Sequence, residues 1–294
     1  MTQFVCLSGL PRSGSTLLSS ILSQNPLIHA EGNSAVCQLM WDMYISFTKN
    51  AYEQLKGNYK DHLLRDFIIQ IPNTYYKNIL IGTEVIIDKC RAWIKPTNIE
   101  LLKMFIDSDI KIIVMERSVT DIMKSFYKLY KNNNWSDEMI RKCFDGMLMP
   151  GSEPIMASLE SIKLIKDMER NRERKRKRDD VDGAGAAGAA GAGAAGAAAG
   201  CSACNNSTFL FINYENLVEH PDKVIEQIYD FCGWQSFQHT FEGIVNKYPE
   251  NDAFYGLEGF HNVRPTICKE DNCHVVLPDD IMKKCNEIDK LFGY

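Results

Sequence analysis

The residues Gly9-Leu10-Pro11-Arg12-Ser13-Gly14-Ser15-Thr16 put two glycines, three hydroxyls and one cation into eight positions. That mixture suits an anion. Glycines let the backbone turn its N–H groups inward, hydroxyls donate hydrogen bonds, and the arginine supplies charge. The spacing is that of a phosphate loop, G-x-x-x-x-G-K-[ST], except that Ser15 stands where the lysine belongs. Such a loop can still hold a phosphate, but it lacks the group that grips the end of a magnesium nucleoside triphosphate. A plain Gly/Ser-rich turn between a strand and a helix is the competing reading.

A second stretch, Glu116-Arg117-Ser118-Val119-Thr120-Asp121-Ile122-Met123-Lys124-Ser125, follows an apolar run and opens a helical pattern. Arg117 at the strand's end and Ser125 two turns into the helix can form a guanidinium-plus-hydroxyl clamp for a second phosphate. A surface salt bridge and an exposed helical serine are the bland alternative. Three further groups could do chemistry: His29 with Glu31, the cluster Asp88-Lys89-Cys90-Arg91-Ala92-Trp93, and Gly259-Phe260-His261-Asn262-Val263-Arg264-Pro265.

The elements that must carry these residues alternate. Apolar, β-branched runs at 3–8, 83–87, 110–115 and 208–213 read as parallel strands covered on both faces. Helical spacing marks 15–24, 34–56, 60–70, 97–106, 118–131, 136–147, 155–175, 221–232 and 279–291, with Pro221 opening one helix and Gly233 ending it. The expected fold is α/β: three layers, a mostly parallel central sheet flanked by helices, and a P-loop-like nucleotide site at the strands' carboxyl ends. One domain is expected over 1–294, interrupted at 169–207 by a flexible low-complexity insertion. Residues 170–178 there carry seven positive charges, and 183–200 contain only Gly and Ala, with no side chain large enough to offset the cost of ordering. The basic run reads as a nuclear signal, a polyanion contact, or simply the solvated end of a helix.

The composition is that of a globular protein: 294 residues, 45% hydrophobic and 24% charged. A net charge of −5 implies no general attraction to nucleic acid or to acidic membranes, so an anionic ligand must be attracted locally. No apolar run reaches the length of a membrane span. Cleavage of a conventional secretory signal would destroy the loop at residue 9. The ten cysteines are scattered, and Cys201-x-x-Cys204 has no second pair at metal spacing. A reducing cytoplasmic location, no metal, and no nucleic-acid partner are expected.

Taken together, Gly9–Thr16 and the strand-Arg117-x7-Ser125 pattern resemble the sulfotransferases that use 3′-phosphoadenosine 5′-phosphosulfate (PAPS) and release adenosine 3′,5′-bisphosphate (PAP). The Pro-Arg-Ser-Gly-Ser-Thr form is most similar to the tyrosylprotein, glycan and bacterial branches. Phe211-Ile212-Asn213-Tyr214-Glu215-Asn216-Leu217 resembles a third recurring segment near the nucleotide. The resemblance runs from residue 3 to about 233, apart from the insertion. It implies that Arg12, Ser13, Gly14, Ser15 and Thr16 grip the 5′-phosphosulfate, that Arg117 and Ser125 grip the 3′-phosphate, and that Tyr214 lies close by. Arg264 is a looser match to a late basic loop. Lys89 matches a strand-end lysine that contacts the moving sulfonate. The first candidate for general base is Asp88, expected to face the same crevice, with Glu31 and His29 as rivals; the glutamate of the tyrosylprotein branch is Asn33 here. The acceptor would be a small molecule, a glycan or a peptide, with Trp41, Trp93, Trp135, Tyr44 and Tyr127 as candidate pocket aromatics. A catalytically inactive nucleotide-binding protein on the same loop is the alternative, and a small-molecule kinase a weaker one, given the missing lysine and the lack of a magnesium carboxylate.

Overall fold

The computed structural model describes residues 2–79, 81–184, 207–268 and 274–294. Five strands, β1 (Gln3–Gly9), β2 (Ile28–Asn33), β3 (Val85–Lys89), β4 (Lys111–Glu116) and β5 (Phe209–Asn213), form one parallel sheet in the order β2-β3-β1-β4-β5. Parallel neighbours need crossovers, and helices supply them. In chain order these are α1 (Ser15–Leu22), α2 (Val36–Ile45), α3 (Tyr52–Gly57), α4 (Leu64–Tyr75), α5 (Pro96–Leu101), α6 (Val119–Asn132), α7 (Asp137–Met147), α8 (Met156–Ala184), α9 (Tyr214–Glu219), α10 (Pro221–Cys232) and α11 (Asp279–Phe292).

Alternate residues of each strand feed two cores. Val5, Leu7, Ile87, Ile113 and Met115 pack on Leu18, Ile21 and Leu22 of α1 and on Ile225 and Ile228 of α10. Cys6, Ile86, Ile112 and Val114 face the other way, into a larger core with side chains of α2, α4, α5, α6, α7, α8 and α11. Burial on both faces accounts for the unbroken apolar runs of the inner strands.

The expected α/β three-layer arrangement is what the chain adopts. The differences are local. β2 is a fifth strand that periodicity does not reveal: Ile28-His29-Ala30-Glu31-Gly32-Asn33 is short and half polar, lies at the sheet edge, and shifts register against β3 between Ala30 and Asn33. The helix expected over 34–56 breaks after Ile45 into a wide turn, Ser46–Asn50, before α3. The helix expected to end at 175 runs on to Ala184 as α8. The remaining Gly/Ala residues of the expected insertion, with Cys201 and Cys204, lie outside the described residues.

Two features set the strand ends. At Gly9 (φ 128°) β1 passes so close to β4 that an added Cβ would overlap the backbone of Met115. Beyond β4, the start of α6 is held by Asp289 of α11, whose carboxylate accepts from the N–H of Val119 at 2.5 Å, the N–H of Thr120 at 3.1 Å and the Thr120 hydroxyl at 2.6 Å. Gly9→Ala therefore combines a clash with a strained φ and should lower stability by about 3 kcal/mol, read as a shifted midpoint in urea unfolding.

Candidate functional site

All five strands end at one cleft of about 240 Å³, and each supplies a lining residue: Gly9 from β1, Asn33 from β2, Lys89 from β3, Arg117 just past β4, and Tyr214 just past β5. Between β1 and α1 the loop 10–14 lines it with Leu10, Pro11, Arg12 and Gly14. Gly14 is the N-cap of α1 and adopts φ 88°; a Cβ there would come within 2.7 Å of the Tyr214 ring. The first bond inside α1 runs from the Leu18 N–H to the Gly14 carbonyl at 2.9 Å. The N–H groups of Ser15, Thr16 and Leu17 thus have no partner within the helix, and Ser15, Thr16 and Leu17 all line the cleft. Ser13 is fully buried and donates to the Leu10 carbonyl at 2.5 Å, so its hydroxyl braces the loop from inside.

The two motifs meet. Arg117, 3% exposed, donates from Nη1 to the Arg12 carbonyl at 2.9 Å and lies over the Tyr214 ring at 4.1 Å. Arg12 (φ 56°) donates from Nε to the hydroxyl of buried Ser125 at 3.2 Å and from Nη1 to the Phe260 carbonyl. Arg12 therefore turns to the α6 side of the loop and joins Arg117 and Ser125. On the opposite, β3 side stands Lys89, nearly buried, with its ammonium 3.4 Å from Thr16 Oγ1 and 3.0 Å from Glu250 Oε1. Exposed Arg264 reaches the rim, where it donates to Cys268 Sγ.

Asp88 requires a correction. It does not face the crevice; as the neighbour of Lys89 on a strand it points to the other face of the sheet. It is fully buried there and accepts from Ser34 Oγ at 2.6 Å, Tyr76 OH at 2.8 Å and Trp93 Nε1 at 2.6 Å. Burial pushes its carboxyl above the ordinary range even against these three donors. Glu31 and His29 are not brought to the cleft either. They bond each other at 3.0 Å along β2, and the His29 ring packs 4.6 Å from that of Tyr248. The cleft is lined by the aromatics Tyr214, Tyr255 and Phe260 rather than by Trp41, Tyr44, Trp93, Tyr127 or Trp135; Trp93 lies in the larger core.

What the sequence reading missed comes from the segment after α10. Glu250, Tyr255, Phe260 and His261 all line the cleft. His261 Nδ1 lies 2.6 Å from Asp252 Oδ1, and its Nε2 lies 3.5 Å from Glu250 Oε1. The stretch 259–265, Phe260 and His261 included, is marked in the sequence, but only Arg264 there carries a role and Glu250 and Tyr255 are unmarked, because the segment has no helix or strand period to place its side chains. Among the described residues no group of three or more His, Cys, Asp or Glu is arranged to hold a metal ion, and no helix is long and apolar enough to cross a membrane.

A family model described as a sulfotransferase domain matches residues 3–254. Among solved structures, the sulfotransferase domain from the curacin biosynthetic pathway superimposes with a TM-score of 0.54 at 16% identity, covering 100% of this chain and 98% of that one. The sulfotransferase domain from the Synechococcus PCC 7002 olefin synthase gives 0.54 at 18% identity, with 100% and 95% covered. At such identities the likeness is one of fold. No curated protein sequence matches the chain.

The placement of Asp88 makes it a structural hub. Asp88→Ala would leave three buried donors without their acceptor, so it should destabilise the protein by about 3 kcal/mol in chemical unfolding, with Asp88→Asn costing less.

Proposed function

The chain belongs to the sulfotransferase family, and we propose that it moves a sulfuryl group from PAPS to a hydroxyl or amine by in-line displacement. The observation that carries this reading is the convergence of Arg12, Arg117 and Ser125, from motifs more than a hundred residues apart, beside the N-terminus of α1. One cleft thus offers two separate anion cradles, which fits a donor with phosphate at both the 3′ and the 5′ position. The donor set fits as well: backbone N–H groups, the four guanidiniums of Arg12, Arg91, Arg117 and Arg264, one ammonium and several hydroxyls, with a glycine at each point where backbone or ring comes closest.

In this reading the N–H groups at 13–16 and the start of α1 hold the 5′-phosphate, with the Ser15 and Thr16 hydroxyls beside it. Arg117 and Ser125, joined by Arg12, hold the 3′-phosphate, while Tyr214 and Arg264 flank the nucleotide. Lys89, next to Thr16, meets the sulfonate. PAPS supplies an activated sulfuryl group; the chain supplies position and fixed positive potential where charge grows on the departing phosphate. The acceptor is a small molecule, a glycan or a peptide that enters past Tyr255 and Phe260. The seven cysteines among the described residues are free thiols, which supports a reducing, cytoplasmic setting. The reading keeps one domain over 1–294 with an insertion at 169–207.

PAP should raise the melting temperature in a concentration-dependent way and Mg-ATP should not. The reverse preference would count for a kinase. PAP binding without transfer of radiolabelled sulfate from PAPS to any of a panel of alcohols, phenols, sugars and peptides would count for an inactive nucleotide binder. Arg117→Ala should weaken PAP binding roughly 10- to 100-fold by calorimetry, since it removes a buried charge-assisted contact; unchanged affinity would refute the 3′-phosphate assignment.

A further inference from the structure

Sulfuryl transfer to a hydroxyl needs a group that takes the acceptor's proton, and none of Asp88, Glu31 or His29 lines the cleft. Glu250 does. Its side chain is 10% exposed, and its carboxylate lies where the β3 end, the β2 end and the C-terminal segment meet. The groups facing it are Lys89 from β3 at 3.0 Å, the Asn33 backbone N–H from β2, Tyr255 OH at 3.4 Å on the other oxygen, and His261 Nε2 at 3.5 Å, itself backed by Asp252. Arg91 lines the same cleft. Space for Glu250 exists because residue 32 is glycine: an added Cβ would overlap the glutamate's Cγ and lie within 2.7 Å of Oε1. The sequence thus leaves room for one carboxylate beside the loop and sets it against the same lysine that stands next to Thr16.

We propose that Glu250 is the general base of the transfer and that Lys89 is its latch. The inference rests on the sulfuryl-transfer reading above. Lys89 is the shared element, because a sulfonate placed beside Thr16 and the Glu250 carboxylate compete for one ammonium. While Lys89 pairs with Glu250, the carboxylate is held charged and weakly basic. Burial alone would raise its affinity for a proton, but Lys89, with His261 and the Asn33 N–H, outweighs burial and holds it below the usual glutamate range. When the sulfonate takes Lys89, that restraint is lost while the burial remains, so Glu250 becomes a stronger base once the donor is in place. Glu250 then accepts the acceptor's proton as the acceptor oxygen's lone pair forms the new O–S bond. The electron pair of the breaking S–O bond stays with the 5′-phosphate oxygen of PAP. The protonated carboxyl returns its proton to solvent when Lys89 pairs with it again.

The latch can be read without turnover. If PAPS displaces Lys89 from Glu250, the carboxyl's proton affinity rises on binding, so the complex takes up a proton at mildly acid pH and PAPS affinity increases as pH falls through that range. The measurement is PAPS binding by calorimetry against pH, with no acceptor, for the wild-type protein and for Glu250→Gln. Both should bind PAP. The wild-type protein should show an extra proton uptake with PAPS that Glu250→Gln lacks. In transfer assays with whichever hydroxyl acceptor the radiolabelled panel yields, Glu250→Gln should be slower by about 100-fold or more, and His261→Gln less affected. Identical pH dependence of PAPS binding in the two proteins would overturn the latch. Transfer by Glu250→Gln at the wild-type rate, or loss confined to His261→Gln, would overturn the base and hand the role to the Asp252–His261 pair. Failure of the wild-type protein to bind PAP at all would instead remove the sulfuryl-transfer reading and this inference with it.

Discussion

β1 and β4 approach so closely at Gly9 and Met115 that no side-chain atom fits between them, and the rest of the site depends on that contact. It brings the loop after β1 against the residue after β4. Arg117 can then reach the Arg12 carbonyl, and Arg12 can reach Ser125. The cradles on two crossover units are thereby tied into one object. Its charges sit at strand ends and on the short loop before α1, held by hydrogen bonds, so they need little reorganisation to meet an anion.

The support for that object lies outside it. Asp289 of α11 caps α6 from more than 160 residues away and sets the direction in which the chain leaves Arg117. Glu116, just before that arginine, is tied by Lys166 at 2.6 Å and by the Tyr294 hydroxyl at 2.7 Å. Asp88 plays the corresponding part behind Lys89, fastening Ser34, Tyr76 and Trp93 to the end of β3. Residues next to the cleft in sequence thus serve as its foundation, because a parallel strand sends alternate side chains into opposite layers.

The other wall is of a different kind. Between α10 and α11 regular structure is scarce, yet this segment returns across the strand ends. It is pinned by Lys247 to the Ser23 carbonyl at 2.7 Å, by Gln24 to Thr240 at 2.8 and 2.9 Å, and by Arg12 to Phe260. It carries Glu250, Tyr255 and Phe260, with Arg264 at the rim, opposite Arg12, Lys89, Arg117 and Tyr214 at the strand ends. Lys89 stands on the sheet and Glu250 arrives from this segment, so the pair joins the two walls.

By itself the chain's residue order determined the α/β class, four of the five strands, most helices, and the loop with its two phosphate-type motifs. Those features are local: an apolar run, a helical period, a glycine spacing. Tertiary structure decided the rest. β2 escaped detection because a short, half-polar edge strand has no period to read. Asp88 and Lys89 were read as one cluster, and the pleat of β3 sent them to opposite layers. Glu250 was invisible as a site residue, and His261 had no assigned role, because long-range contacts with Lys89 and Asp252, not local periodicity, bring them to the cleft. Spacing along a chain specifies what a turn or a strand can do, but which distant carboxylate faces a given lysine is settled only when the layers pack.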